Sequence, residues 1–183
     1  MTAKTGILET AQQMSRRGPP PVHLWNPPYC GEMDLRIARD GTWFHEGTPI
    51  GRAPLVRLFA GILKLEEGRY YLVTPVEKLG IQVEDVPFIA TDFEVEPSEG
   101  GPVFTFVTNV GDRVALGPDH PLRMAGGAPY VMVRRGLEAR VDRKSFYRLA
   151  ELAEVEGEGF GIRSGGAFFP LGLLADLEAD LPR

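Results

Sequence analysis

The feature that most constrains the fold of this chain is an internal repeat at a spacing of 91 residues. Residues 52–68 fall without gaps on residues 143–159, with identical residues at five of the 17 aligned positions. Average residue usage predicts roughly one identity in such a segment, but a chain of this length offers many spacings for comparison, so coincidence is the alternative. The apolar positions also carry over, because Leu55 and Leu58 align with Phe146 and Leu149. We infer two units of one plan.

Each unit is predicted to be α+β, with an antiparallel sheet and one helix. In the first unit, Asp40-Gly41 separates two strand-like segments and predicts a two-residue hairpin turn. The resulting cross-strand pairs would sort the side chains onto two faces. Three residues would face the core: Leu35, Ile37 and Phe44. Three others would line either a solvated face or a binding face: Arg36, Trp43 and His45.

One helix follows the hairpin in each unit. Pro54 suits a first helical turn, and the apolar residues after it have the spacing of a helix that buries one stripe. These residues are Leu55, Leu58, Phe59, Ile62 and Leu63. Asp142 is a natural N-cap for the second helix. We therefore predict a helix and a proline-rich arm at 1–24, a first α+β unit at 25–96 and a second at 97–183.

Composition excludes several classes of protein. A formal net charge of −5 gives no general attraction to nucleic acid or to an anionic membrane. The single Cys30 cannot form an internal disulfide, which suits a reducing compartment. No apolar run approaches the roughly 18 residues that a membrane-spanning helix needs. We expect a cytoplasmic chain with neither nucleic acid nor membrane as its partner.

No motif for a cofactor, a metal or catalysis stands out. The glycines at 157, 159 and 161 follow a helix and open a strand, whereas a dinucleotide fingerprint has the opposite context. The three histidines are scattered, and one Cys cannot build a structural zinc site. We therefore predict no cofactor, no metal and no catalytic residue. A hydrolase or transferase using Asp34 or Glu77 with His45 is the weakest alternative, since neither pair has a diagnostic spacing.

Two polar segments offer hydroxyl, amide and ammonium donors close together: residues 74–78 and residues 108–112. Such donors suit a small polar or phosphorylated ligand, but turns and caps use the same residue types. With the polar face of the hairpin, these segments define a candidate ligand site. Its predicted residues are Asn26, Arg36, Trp43, His45, Arg52, Lys78, Thr108 and Asn109.

Four strings of residues resemble the proteobacterial domain-of-unknown-function family 1285, with a likeness that covers most of the chain from about Trp25 onward. The strings lie at 25–31, 33–44, 48–52 and 74–81. The resemblance implies a duplicated α+β core whose C-terminal half is superficially similar to pleckstrin-homology-like folds. It also implies a ligand site where the two units meet, for a nucleotide-like molecule, and a role in signalling. It brings no catalytic motif.

Two functions from different classes therefore stand as hypotheses. The first is a non-enzymatic sensor that binds a small anionic, nucleotide-like ligand, with Arg36, Arg52 and Lys78 supplying charge. The second is an adaptor that binds a protein partner through the proline-rich arm or through exposed sheet edges.

Overall fold

A computed structural model of the chain describes residues 2–179. The α-helices are α1 (Thr2–Ser15), α2 (Ala53–Gly61), α3 (Arg143–Glu151) and α4 (Leu174–Ala179), and Val22–Leu24 forms one turn of 3₁₀-helix. The strands before α3 are β1 (Tyr29–Ile37), β2 (Trp43–His45), β3 (Thr48–Pro49), β4 (Leu63–Glu66), β5 (Arg69–Val73), β6 (Lys78–Val83), β7 (Phe88–Glu96), β8 (Val103–Thr108), β9 (Arg113–Ala115), β10 (Leu122–Ala125), β11 (Ala128–Arg134) and β12 (Leu137–Val141). The strands after α3 are β13 (Glu154–Glu156), β14 (Gly159–Ser164) and β15 (Ala167–Leu173).

The chain divides into two units between Pro87 and Phe88. The predicted boundary at 96/97 is therefore displaced, because β7 pairs with β8 and β12 and so belongs to the second unit. Residues 1–24 do not form a separate part either. In α1, Ile7 is 0% exposed and Ala11 is 1% exposed, and the helix packs against α2 inside the first unit. Burial of these apolar side chains holds α1 in place.

The first unit contains one six-stranded sheet, in the order β3-β2-β1-β6-β5-β4. Its neighbouring strands are antiparallel except for β1 and β6, which run parallel. Alternation along β1 sends Met33, Leu35 and Ile37 into the core and leaves the residues between them on the polar face. The largest buried side chains of this unit are Leu35, Ile37, Trp43, Ile62, Leu63 and Leu72, with Ile7 from α1.

The turn between β1 and β2 is one residue longer than the sequence predicts. Ala38 and Thr42 pair across it, and the N–H of Gly41 donates to the carbonyl of Ala38, so residues 39–41 form a three-residue loop. Gly41 has a φ of 89°, the left-handed conformation that such a loop requires at its last position. The strands consequently pair Ile37 with Trp43. A shift of one residue exchanges the two faces of β2.

The second unit has a six-stranded sheet in the order β10-β11-β12-β7-β8-β9 and a three-stranded sheet in the order β13-β14-β15. The larger sheet contains one parallel pair, β7 with β12. The Ser164 hydroxyl joins the two sheets, because it accepts from the N–H of Phe104 at 3.0 Å and donates to the carbonyl of Leu116 at 2.8 Å. Ser164 is 1% exposed, so both buried backbone groups are satisfied by it.

The order of elements supports the duplication, but its spacing is 90 residues and not 91. Both α2 and α3 have nine residues, and α3 starts and ends 90 residues after α2. The hairpin pairs Glu66 with Arg69 in the first unit and Glu156 with Gly159 in the second, again 90 apart. The identities at a spacing of 91 therefore do not fall on equivalent positions. The two copies also pair differently, since β1 is hydrogen-bonded to β6 whereas β10 lies against β15 in a separate sheet.

Among the described residues, no helix has both the length and the apolar character needed to cross a membrane.

Candidate functional site

The eight residues predicted to bind a ligand divide between the two units. The first unit holds Asn26, Arg36, Trp43, His45, Arg52 and Lys78, and the second holds Thr108 and Asn109. Asn26 is exposed in the loop before β1. Each of the others is judged below by the contacts that it makes inside its own unit.

Trp43 lies in the core and not on a binding face. Its side chain is 2% exposed, and the indole Nε1 is buried without a hydrogen-bond acceptor among residues 2–179. His45 lies opposite Leu35, which places it on the same face of the sheet, where it is half-buried. The prediction that Trp43 offers its ring to a ligand is wrong, because the one-residue shift in register turns the ring inward.

Arg36 lies on the polar face, as predicted, but its guanidinium already contacts other side chains of the first unit. Its guanidinium carbon lies 4.3 Å from the centre of the Phe44 ring, and Nη1 donates to the Glu84 carboxylate. The backbone N–H of Arg39 donates to the same carboxylate at 2.9 Å. The hydrogen bond from the Arg39 N–H lowers the pKa of Glu84 most, and the bond from Arg36 lowers it further. An anionic ligand would have to compete with Glu84 for Arg36.

Lys78 belongs to a half-buried network, the Lys64–Glu66–Lys78 network. The Glu66 carboxylate lies 2.6 Å from the Lys64 Nζ and 2.8 Å from the Lys78 Nζ. Lys64 also donates to the carbonyl of Trp25 at 2.8 Å, and the Lys78 Nζ lies 4.9 Å from the centre of the Tyr71 ring. The hydrogen bonds from Lys64 and Lys78 lower the pKa of Glu66, and the bond to Glu66 raises the pKa of Lys78. The ammonium of Lys78 is therefore already paired with a carboxylate of the same unit.

A neighbouring polar group on the same face was not predicted. The Glu32 carboxylate accepts from the Tyr29 hydroxyl and, at 2.7 Å, from Nη2 of Arg69. The Tyr29 ring meets the Tyr71 ring edge-on at 6.3 Å between centres. The bond from Tyr29 lowers the pKa of Glu32 and raises the pKa of Tyr29 itself. The alternation of Glu32, Asp34 and Arg36 along β1 was the available signal. Glu32, Tyr29 and Arg69 therefore bond to one another within the first unit.

The two polar segments singled out in the sequence form turns. Thr74 is 0% exposed, and its hydroxyl oxygen accepts from the N–H of Glu77 at 3.2 Å. The Thr108 hydroxyl oxygen accepts from the N–H of Asp112 at 3.0 Å, and the Asn109 carbonyl oxygen Oδ1 accepts from the N–H of Ile89 at 3.0 Å. These bonds close loops onto neighbouring strands, which is the role that such residues have in turns.

Glu77 differs from the other carboxylates of the first unit. It is half-buried beside α1, since a Cβ at Gly6 would lie 3.9 Å from its Oε1. Burial raises the pKa of the Glu77 carboxyl group. Asp34 lies on the face of β1 opposite to Leu35, whereas His45 shares the face of Leu35. The alternative acid–base pair of Asp34 with His45 is therefore divided between the two faces of the sheet.

Arg52 is the predicted site residue that lies at a cavity. A groove of about 540 Å³, the α1–α2 groove, lies between the side of α1 and the start of α2. It is lined by Leu8, Gln12, Gly51, Arg52, Ala53, Pro54, Leu55 and Leu58. Within residues 2–179 no carboxylate pairs with the exposed Arg52, which occupies the N-cap position of α2 without a side-chain cap. Partial positive charge at the start of α2 adds to that of the guanidinium.

The chemistry available at the α1–α2 groove is binding chemistry. The lining residues that the structure describes include one cation, one amide and apolar side chains, with neither a nucleophile nor a titratable base among them. Across the described residues, no three His, Cys, Asp or Glu side chains lie close enough together to hold a metal ion. Cys30 is exposed, and its thiol donates to the carbonyl of Pro28 at 3.3 Å.

The fold defines the class of this protein as two α+β units built on one repeated plan. Two family models match adjacent parts of the chain, the N-terminal domain of the domain of unknown function DUF1285 at residues 20–86 and the C-terminal domain of the same family at residues 87–171. The chain belongs to the DUF1285 family. The resemblance carried by residues 25–31 and the other three strings is confirmed, and α1 precedes the matched region.

Two solved structures are similar to this chain. A DUF1285 family protein from Silicibacter pomeroyi DSS-3, with a crystal structure at 2.50 Å, is 56% identical with a TM-score of 0.87, over 94% of this chain and 97% of that chain. A DUF1285 family protein from Shewanella baltica OS155, at 1.40 Å, is 28% identical with a TM-score of 0.55, over 65% of this chain and 91% of that chain. No curated protein matches the sequence. The pleckstrin-homology likeness of the second unit stays a prediction, as does a cytoplasmic location.

Proposed function

We propose that this chain is a non-enzymatic binding module that holds a small anionic ligand in the α1–α2 groove. One observation carries the proposal: Arg52 is the one cation in the described lining of a groove of about 540 Å³, and within residues 2–179 it has no carboxylate partner. Volumes of this size are typical of small-molecule sites, where apolar walls and a few polar groups hold the ligand.

The contacts of the other predicted cations favour Arg52. Arg36 and Lys78 each have a carboxylate within hydrogen-bonding distance, so a ligand would gain little from either without breaking an existing pair. Arg52 needs no such exchange. The site proposed here therefore lies wholly within the first unit, and it does not use Thr108 or Asn109.

A role in signalling would follow from the position of α1. Leu8 and Gln12 of α1 form one wall of the groove, and α2 forms the other. A ligand that contacts both walls must stabilise the docked position of α1, because binding and docking are linked equilibria. The state of α1 would then report the presence of the ligand.

The test is isothermal titration of the full chain with a panel of anions that includes AMP, GMP, inorganic phosphate and aliphatic carboxylates. We expect at least one of them to bind, and we expect Arg52→Ala to weaken that binding at least tenfold, the usual effect of losing a charge-assisted hydrogen bond. Arg57→Ala is the matched control, because Arg57 is exposed on α2 but does not line the groove. A panel without binding, or equal effects of both variants, would overturn the proposal.

An adaptor is the second candidate, favoured by the edge strand β13. Val155 is 65% exposed on this strand, which pairs only with β14 in the described region. A free edge with an exposed apolar side chain can accept a strand from a partner. An adaptor predicts that Val155→Lys abolishes capture of a defined protein partner while Val95→Lys, at a site that is 43% exposed on β7, does not. Equal capture by both variants would exclude this edge.

A further inference from the structure

The walls of the α1–α2 groove determine the class of ligand that it can hold, provided that the proposed function is correct. Hydrocarbon groups dominate the lining, from Leu8 on α1 and from Pro54, Leu55 and Leu58 on α2. Leu55 and Leu58 are only half-buried, so an occupant would remove more of their surface from water. An apolar body of a ligand therefore gains from this surface.

Two polar side chains belong to the described lining of the groove. Arg52 supplies one guanidinium and Gln12 supplies one amide. A guanidinium presents two parallel N–H groups that match a carboxylate bidentately. A nucleotide would bring a purine or pyrimidine ring with several donors and acceptors, and the described lining residues include no aromatic side chain to stack on it. Burying those polar atoms without partners is unfavourable.

We propose that the α1–α2 groove binds an amphiphilic monocarboxylate, a molecule with one carboxylate and an aliphatic chain. The carboxylate pairs with the guanidinium of Arg52, and the chain lies along Leu8, Leu55 and Leu58. Charge complementarity selects this occupant, since Arg52 is the one charged residue of the described lining, has no carboxylate partner within residues 2–179, and lies among apolar side chains.

The experiment titrates the full chain with hexanoate, octanoate and decanoate below their micelle concentrations. We expect the affinity to rise about three- to fourfold with each added methylene until the groove is full, which is the gain from burying one methylene. Octylamine, which has the same chain and the opposite charge, should bind at least tenfold more weakly than octanoate. AMP should bind more weakly than octanoate as well.

Two variants connect the binding to the groove. Arg52→Ala should weaken octanoate binding at least tenfold, whereas Arg57→Ala should leave it unchanged. Ala53→Leu places a larger side chain at the exposed first turn of α2, inside the groove lining, and should block octanoate without loss of folded structure by circular dichroism. The second variant keeps the test decisive if the first alters the start of the helix.

The outcomes separate this inference from the proposed function. If AMP or GMP binds through Arg52 and octanoate does not, the binding module stands and the amphiphilic ligand is wrong. If no anion of the panel binds, both are wrong. If octylamine binds as tightly as octanoate, or if Ala53→Leu leaves octanoate binding intact, the carboxylate does not occupy this groove.

Discussion

The carboxylate of Glu32 lies over the backbone of Gly80, its direct partner in the parallel pair of β1 and β6. A Cβ at position 80 would clash with that carboxylate. From this position Glu32 holds both the Tyr29 hydroxyl and the guanidinium of Arg69. The missing side chain at Gly80 is therefore what allows this polar group to form on the face of the sheet.

Gly80→Ala should lower the free energy of unfolding modestly, because it breaks an exposed charged pair and such pairs contribute little. The new methyl group would displace the carboxylate of Glu32 and separate it from Tyr29 and Arg69. Gly80 does not have a positive φ, so an alanine fits its backbone. In a Glu32→Ala background the same change should be neutral or stabilising, because alanine has fewer conformations than glycine in the unfolded chain.

Urea denaturation of the four proteins in this double-mutant cycle measures the effect. The expected result is that Gly80→Ala destabilises the parent chain but does not destabilise the Glu32→Ala chain. Equal destabilisation in both would show that the backbone at Gly80, and not the Glu32 carboxylate, excludes a side chain.

The Lys64–Glu66–Lys78 network predicts a stability that depends on pH. Its bonds lower the pKa of Glu66, so the stabilisation is complete above the ordinary Glu pKa of about 4.3 and is lost as the pH falls through the lower value of the folded state. The three side chains are 16–25% exposed, which places the network between surface and buried pairs. Glu66→Gln should therefore cost about 1–3 kcal/mol at pH 7.

Thermal or urea unfolding between pH 3 and pH 7 checks this prediction. The difference between Glu66→Gln and the parent chain should close as the pH falls below about 4. Glu99→Gln, in an exposed loop of the second unit, is the control and should differ little from the parent at any pH. A difference that persists undiminished at pH 3 would mean that the charge of Glu66 is not the source of the stabilisation.

Periodicity predicted the elements of this fold well, because it depends on residues that are close in sequence. The strand-like segments on either side of Asp40-Gly41 form β1 and β2, and Pro54 lies in the first turn of a helix as expected. The register of the hairpin was not predictable in the same way. A two-residue and a three-residue loop both accept Asp40-Gly41, and one residue decides which face of the sheet Trp43 occupies.

The candidate site was harder to predict than the fold. Arg52 was predicted as a site residue, but its surroundings depend on packing between α1 and α2, which are far apart in sequence. Arg36 and Lys78 were predicted from their charge. The sequence does not show that Arg36 pairs with Glu84, just after β6, or that Lys78 pairs with Glu66, two strands away on β4. Pairing between distant strands depends on tertiary structure.

The observed register makes a prediction about fluorescence. The chain has two tryptophans, so Trp25→Phe leaves only Trp43. Since Trp43 is 2% exposed, its emission should be blue-shifted and resist quenching by iodide, whereas Trp43→Phe should leave a more easily quenched Trp25. Emission from Trp43 that iodide quenches as strongly as that of free tryptophan would instead favour the two-residue turn.

Ligand binding and the docking of α1 should be coupled in solution. Leu8 and Gln12 supply one wall of the α1–α2 groove, and α1 carries a glycine at position 6, which weakens an isolated helix. Saturating octanoate should therefore slow hydrogen exchange of the α1 amides over residues 7–14, as expected when a ligand binds only the docked state. Exchange in β7 and β8 of the second unit provides the internal control and should not change. Octanoate binding with unchanged exchange in α1 would show that α1 does not form a wall of the occupied groove.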